Sequence, residues 1–132
     1  MNLRNYQHWK GLLFQVIKNP SIEEKNGIIV IGGANIDIKG KSKNVLQWRT
    51  SNPGTIRVAH GGVGRNIAHY LGLLNIPVTF LSVVGDDDEG REILEKLRNA
   101  GVETDEIIQS KKDVTGKYVA VLDEKGDMQL AV

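Results

Sequence analysis

The chain has 132 residues, of which 40% are hydrophobic and 25% are charged, and this balance is typical of one small soluble globular domain. Its net charge of +1 provides no field for nucleic acid or an anionic membrane, and no apolar run is long enough to span a bilayer. With no cysteine and 3 scattered histidines, disulfides and thiolate sites are excluded and no metal centre is indicated. We therefore expect a cytoplasmic protein that contacts neither nucleic acid nor membrane.

Residues 1–26 are predicted to form an N-terminal helical extension to a domain that occupies residues 27–132. Apolar side chains recur at helical spacing from Trp9 to Ile17. Asn19-Pro20 ends this helix, because the residue before a proline avoids the α region. The segment either packs on the domain or is a poorly ordered leader; a remnant of a helix-turn-helix is a third reading, although no recognition helix is visible.

The first part of the domain is predicted to consist of strands. Residues 28–31 are apolar on both faces, which is typical of a central parallel strand covered on both sides. Asn35 and Asp37 follow two residues apart, so in an extended chain they share one face. Residues 45–49 alternate as a possible edge strand, and residues 55–60 form another strand after a turn.

Helices and strands then alternate. The predicted elements are a helix with an apolar stripe of Ile67, Leu71 and Leu74 with Ala68, a buried strand at 78–84, a second helix, a short strand at 106–109 and a hairpin of 115–122 with 128–132. The second helix carries Ile93, Leu94 and Leu97 inward, begins at acidic capping residues 86–88, and has outward i,i+4 pairs Arg91/Glu95 and Glu92/Lys96. This order predicts an α/β fold with a parallel, Rossmann-like three-layer core, from which the extra hairpins project as a small separate sheet.

A glycine-rich turn, residues 61–68 (GGVGRNIA), links a strand to a helix. Glycines expose backbone N–H groups at the helix N-terminus, where an anion or polar hydroxyls can bind closely. A Rossmann dinucleotide site would need its third glycine at Ile67, so that pattern fails, and no Gly-Lys-Ser/Thr follows to complete a Walker A loop.

Recognition of a sugar fits the polar residues better. A ribose presents vicinal hydroxyls, each a donor and an acceptor, which a carboxylate, an amide and backbone N–H groups can hold together. Asp37, Asn35, Asn66 and the backbone of residues 61–64 supply this set. The alternative reading is structural: Asp37 caps a turn and Asn66 caps the helix.

These residues also carry a resemblance to a known family. Residues 61–68, with Gly85 after the next strand, resemble the N-terminal signature of the ribokinase/PfkB carbohydrate kinases. Residues 31–37 (IGGANID) resemble that family's first strand with its sugar-binding Asn and Asp. The similarity covers roughly residues 28–132. One departure is Asn75, where the family usually has Gly or Ser.

The resemblance implies the N-terminal portion of a ribokinase-like kinase domain that moves the γ-phosphoryl group of ATP, with Mg²⁺, to a sugar hydroxyl. The implied acceptor is the 5′-hydroxyl of pseudouridine, with other ribosyl or fructosyl substrates and a non-catalytic sugar-binding or dimerisation module left open. The substrate-binding residues implied are Asn35, Asp37, Gly62, Val63, Gly64, Asn66 and Tyr118. Tyr118 either faces the base or packs within the lid. Arg65 either contacts a phosphate or substrate or is a solvated helix residue.

The resemblance further implies that strands within 36–49, 55–60, 115–122 and 128–132 form a β lid, which excludes water and offers a homodimer surface. The family's second signature, with its general base, anion hole, nucleotide site and metal site, has no counterpart in this sequence. We therefore expect a truncated kinase that contains no catalytic residues and is inactive alone. A sheet left uncovered in this way is expected to be marginally stable or to self-associate.

Overall fold

A computed structural model describes residues 27–132, so the predicted extension at residues 1–26 lies outside the described residues. Within them the elements run in this order: β1 (Ile28–Ile31), β2 (Asn35–Ser42), β3 (Gly54–Gly61), α1 (Val63–Leu73), β4 (Val78–Gly85), α2 (Asp88–Asn99), β5 (Ile107–Ser110), β6 (Gly116–Leu122) and β7 (Met128–Ala131).

The core sheet has the order β1-β4-β5 and is entirely parallel. Its two crossovers contain α1 and α2 and both advance in the same direction, so the right-handed rule places both helices on one face of the sheet. Phe80 from the central strand and Ile93 and Leu97 from α2 are fully buried there. Each such side chain contributes about 1.5–3 kcal/mol relative to an exposed one.

A second sheet, called here the lid sheet, has the order β3-β2-β6-β7. Strand β2 lies antiparallel to β3 and parallel to β6, while β6 and β7 form the predicted hairpin. The chain passes between the core and the lid sheet at residues 32–34, at Gly62 and at residues 111–115. The prediction that the extra hairpins form a separate sheet is thus confirmed.

The predicted edge strand at residues 45–49 is wrong. Residues 43–53 form an irregular loop in which the Asn52 side chain accepts a hydrogen bond from the Gln47 backbone N–H and donates one to its carbonyl, both at 2.8 Å. An Asn side chain that hydrogen-bonds to nearby backbone in this way satisfies N–H and C=O groups that would otherwise pair with a neighbouring strand.

Strand β1 was predicted to be a central strand covered on both faces, but this arrangement is not found among the described residues. Within residues 27–132, β1 pairs only with β4, and Ile28, Ile29 and Ile31 remain 42–49% exposed, although Val30 is buried. The strand and its parallel pairing are as predicted, but it lies at an edge of the core sheet.

The apolar stripe predicted for α1 is also wrong in part. Ala68 is buried and Leu71 is partly buried, as predicted, but Ile67 and Leu74 are 49% and 68% exposed. Gly64, Arg65 and Gly72 complete the buried face. Small residues allow the helix axis to approach its neighbours closely: a Cβ on Gly64 would lie 2.7 Å from the Cα of Gly32. Close packing therefore rotates the larger apolar side chains outward.

The polar features of α2 follow the prediction with one exception. Asp87 is the N-cap and accepts from the N–H of Gly90 at 2.8 Å, and Glu92 pairs with Lys96 at 3.1 Å. Arg91 does not pair with Glu95; it binds two aspartates that precede it, Asp86 and Asp88. Arginine at this position reaches back to the helix N-terminus, where carboxylates gather.

Candidate functional site

Asn35 and Asp37 form a polar pair at the start of β2. They lie on one face of the lid sheet, as the spacing predicts, and the Nδ2 of Asn35 donates to the Oδ1 of Asp37 at 2.6 Å. Between them Ile36 points to the opposite face and is buried. Both polar side chains are half-buried, so they can contact a ligand while their mutual orientation is fixed.

Gly61 lies directly against this pair. It is the cross-strand partner of Asn35, and a Cβ at this position would collide with Asp37 Oδ1 and approach Asn35 Nδ2 to 2.8 Å. Glycine is therefore needed here for space. The next residue, Gly62, needs glycine for its backbone, because its φ of 95° is in the left-handed region that L side chains avoid.

The N-terminus of α1 follows immediately. No side chain caps this helix, and its first turn contains no acidic residue. The positive end of the helix dipole is therefore not offset by the protein and favours an anion or a partly negative oxygen. Val63 is 79% exposed at this end, so its backbone, rather than a buried side chain, is its contribution to the site.

Tyr118 lies beside Asp37 on the adjacent strand. The two residues are register partners in the parallel β2–β6 pair, so their side chains emerge on the same face. The hydroxyl of Tyr118 donates to the Sδ of Met128 at 3.1 Å, and 36% of the residue is exposed. Tyr118 therefore lies on the face of the lid sheet that carries the Asn35–Asp37 pair.

Asn66 is placed differently from the other predicted site residues. It does not cap the helix; instead its Oδ1 accepts a hydrogen bond from Arg65 Nη1 at 3.1 Å. The contacts of the structure join Asn35, Asp37 and Gly61, whereas Asn66 is joined to Arg65. Only 7% of Arg65 is exposed, so the reading of this residue as a solvated helix arginine is wrong.

A second polar network links the lid sheet to the core, and the sequence did not reveal it. The carboxylate of Asp87 accepts from the backbone N–H of Thr115 at 2.7 Å and from its hydroxyl at 2.6 Å, while the Thr115 Oγ1 accepts from the N–H of Gly85. These bonds lower the pKa of Asp87 to about 2, with the Thr115 hydroxyl as the largest cause. The network fixes the chain where it enters β6.

Residues 25–132 match the sequence model of a protein family that is described as pfkB family carbohydrate kinase. The chain belongs to this family. It is 40% identical over 111 residues to pseudouridine kinase of Escherichia coli (strain K12), a match that covers 84% of this chain and 36% of that protein. It is 36% identical over 107 residues to guanosine-inosine kinase of Exiguobacterium acetylicum, covering 81% and 35% respectively.

The fold agrees with this family membership. The structure of Arabidopsis thaliana ribokinase complexed with ribose and ATP matches with a TM-score of 0.71 and 27% identity, covering 82% of this chain and 36% of that one. The predicted ribokinase-like α/β fold is therefore confirmed. The chain spans about a third of the length of the relatives that it matches.

Among residues 27–132, no group of three or more His, Asp or Glu side chains is arranged to hold a metal ion. Within the same residues, no helix has the length and apolar character needed to cross a membrane.

Proposed function

We propose that this chain is the acceptor-binding part of an ATP-dependent kinase for a nucleoside, with the 5′-hydroxyl of pseudouridine as the acceptor. The observation that carries the proposal is the Asn35–Asp37 pair, held over Gly61 and beside Tyr118. Gly62, Val63, Gly64 and Asn66 complete the proposed substrate-binding set. ATP and Mg²⁺ are assigned to residues of a longer protein.

The chemistry of the pair supports a sugar ligand. An ionised carboxylate can accept from two vicinal hydroxyls, and the amide of Asn35 can both donate and accept. Because Asn35 already donates to Asp37, the two groups present one prearranged surface to the ligand. Hydrogen bonds to a charged group contribute about 1.5–3 kcal/mol each, enough to anchor a small polar ligand.

Two of the matched relatives support a nucleoside as the acceptor, because they are named for pseudouridine in one case and for guanosine and inosine in the other. The matched ribokinase structure, which is complexed with ribose, has a lower identity of 27%. Tyr118 provides an aromatic surface on the ribose-binding face, which a free sugar would not require. The similarity to guanosine-inosine kinase also makes a purine nucleoside the second candidate acceptor.

Calorimetric titration of the 132-residue chain with pseudouridine, guanosine and ribose tests the proposal. We expect saturable binding of pseudouridine that is tighter than binding of ribose. Asp37→Asn should weaken it by about tenfold or more, because a charged acceptor is lost. The matched control is Asp105→Asn, an exposed aspartate in the α2–β5 connection, which should bind as the parent does.

The outcome also separates the candidates. Tighter binding of guanosine than of pseudouridine would favour the purine alternative. Equal weakening by Asp37→Asn and Asp105→Asn, or the absence of binding to all three compounds, would contradict the assignment of the acceptor site.

A further inference from the structure

A second cleft lies on the opposite face of the lid sheet from Asp37. It has a volume of about 690 Å³ and is bounded by the lid sheet, the first turn of α1 and the exposed side of α2. Apolar side chains of the lid sheet, Ile36, Ile38 and Val58, form one side, and charged side chains form the other. The Asn35–Asp37 pair faces away from this cleft, because side chains on the two faces of a sheet point in opposite directions. Asn66, also assigned to the acceptor site, is hydrogen-bonded to Arg65 of the cleft lining.

The lysines and glutamates of the cleft are already paired. Lys117 of β6 binds Glu89 at 2.8 Å, and Lys96 binds Glu92 at 3.1 Å. Each carboxylate therefore has a lysine partner, and the two pairs together carry no net charge.

His60 connects the second pair to the lid sheet. Its Nε2 is 3.4 Å from Glu92 Oε1, and its Nδ1 is 3.3 Å from Lys96 Nζ. This geometry fits a neutral imidazole that donates through Nε2 and accepts at Nδ1. Burial, followed by the charge of Lys96, lowers the pKa of His60, which agrees with the neutral form.

Arg65 is the unbalanced charge of the cleft. The Arg65 side chain lines the cleft and is only 7% exposed. Its Nε has no hydrogen-bond partner among the described residues. Its one hydrogen bond among the described residues is from Nη1 to Asn66 Oδ1, and none of the ion pairs in this cleft includes it. A buried cation without a counter-ion is unfavourable by several kcal/mol, so the site favours an anion.

We propose that this cleft binds a phosphate-bearing small molecule, with the phosphate against the guanidinium of Arg65 and the organic part against the apolar strands. A guanidinium offers a planar fork of donors that matches an oxyanion. Lys96 and Lys117 neutralise the two carboxylates of the cleft, Glu92 and Glu89, so that these do not repel the phosphate. The bound molecule contacts both the lid sheet and the helices, so it stabilises one position of the lid.

Titration of the 132-residue chain with inorganic phosphate and with propyl phosphate, at constant ionic strength set with chloride, tests the proposal. Propyl phosphate has no vicinal hydroxyls, so it does not report on the acceptor site. We expect saturable binding with amide NMR shifts at residues 58–60, 89–96 and 117, and tighter binding of the ester than of phosphate. Arg65→Gln should weaken binding by about tenfold or more, and Lys96→Gln by a smaller factor.

The matched control is Arg57→Gln, because Arg57 is exposed on the other face of β3 and should not affect binding. If Arg65→Gln fails to fold, the effect of Lys96→Gln on binding serves as the test instead. Lys96 is half exposed, so its substitution leaves the core intact. No saturable binding, equal effects of the cleft and control variants, or amide shifts confined to residues 62–66 would overturn the proposal. Equal affinity for phosphate and the ester would overturn the role given to the apolar strands.

Discussion

At the scale of single residues, the packing of Gly61 against the Asn35–Asp37 pair is the most specific feature of the acceptor site. Its φ lies outside the left-handed region, so the backbone itself would accept alanine. The added Cβ, however, would collide with Asp37 Oδ1. Gly61→Ala should therefore displace the carboxylate, lower the affinity for pseudouridine by about tenfold or more, and destabilise the fold by about 1–3 kcal/mol.

Gly33→Ala is the matched control for this substitution. A Cβ at Gly33 would meet no atom within 4 Å, although the residue lies in the adjacent β1–β2 connection. Calorimetric affinity and urea unfolding should therefore remain close to the parent values in this variant. If the two substitutions lowered affinity equally, steric pressure on Asp37 could not be the cause.

Single-residue roles could be predicted where they depend on local spacing. The shared face of Asn35 and Asp37 follows from strand alternation alone. The burial of Arg65 could not be predicted, because it depends on how α1 packs against the lid sheet and α2. Helical periodicity instead assigned that face to larger apolar side chains.

At the scale of elements, the Asp87–Thr115 network fixes β6 to the N-terminus of α2. Asp87→Asn keeps the side-chain shape but replaces one acceptor oxygen with a donor that faces another donor. We expect a loss of about 1–3 kcal/mol in the free energy of unfolding and faster hydrogen exchange in β6. Asp88→Asn is the control: its side chain is 98% exposed, and its ion pair with Arg91 contributes little.

The same variant should alter the pH dependence of stability. The pKa of Asp87 falls from 3.8 to about 2 on folding, so its contribution is complete above pH 3.8 and is lost as pH falls toward 2. Urea unfolding between pH 5 and pH 2 should show a flatter decline for Asp87→Asn than for the parent. Parallel curves would show that Asp87 does not carry this contribution.

The elements themselves were largely predictable, because each has its own hydrophobic period. Strand β4 and helix α2 lie within one or two residues of the predicted ranges, and Asn75 has the left-handed φ of 57° expected after a helix end. Residues 45–49 do not form the predicted strand, because alternation over five residues is a weak signal and the Asn52 side chain hydrogen-bonds to the backbone of Gln47 instead.

At the scale of the whole molecule, two separate apolar surfaces remain exposed in residues 27–132. One follows β1 and the outer side of α1, where Ile31, Ile67 and Leu74 are 49–68% exposed. The other is the lid-sheet face that also lines the second cleft. The βαβ core and the separate lid sheet were predictable from the order of elements, and an uncovered sheet was also predicted. Which apolar side chains are exposed on each surface depends on tertiary packing and could not be predicted.

The lid-sheet face is where we expect a second copy of the chain to bind. Ile56 of β3 and Leu130 of β7 are 69% and 53% exposed, and the strand registers place both on one face of the lid sheet. Two such faces can pack together because apolar contact is not directional, provided that they bury the roughly 1,200–2,000 Å² of a stable interface. Sedimentation velocity over a concentration series should therefore show a reversible monomer–dimer equilibrium.

Two substitutions distinguish between the exposed surfaces. Ile56→Lys should shift the equilibrium to the monomer, because a lysine in the centre of a buried apolar interface loses its hydration without gaining a partner. Ile67→Lys is the same substitution on the outer side of α1, at a residue that is 49% exposed against 69% for Ile56, and it should leave the dimer intact. If Ile67→Lys alone abolished association, the copies would meet through the core rather than the lid sheet. A monomer at every concentration would show that neither surface binds a second copy.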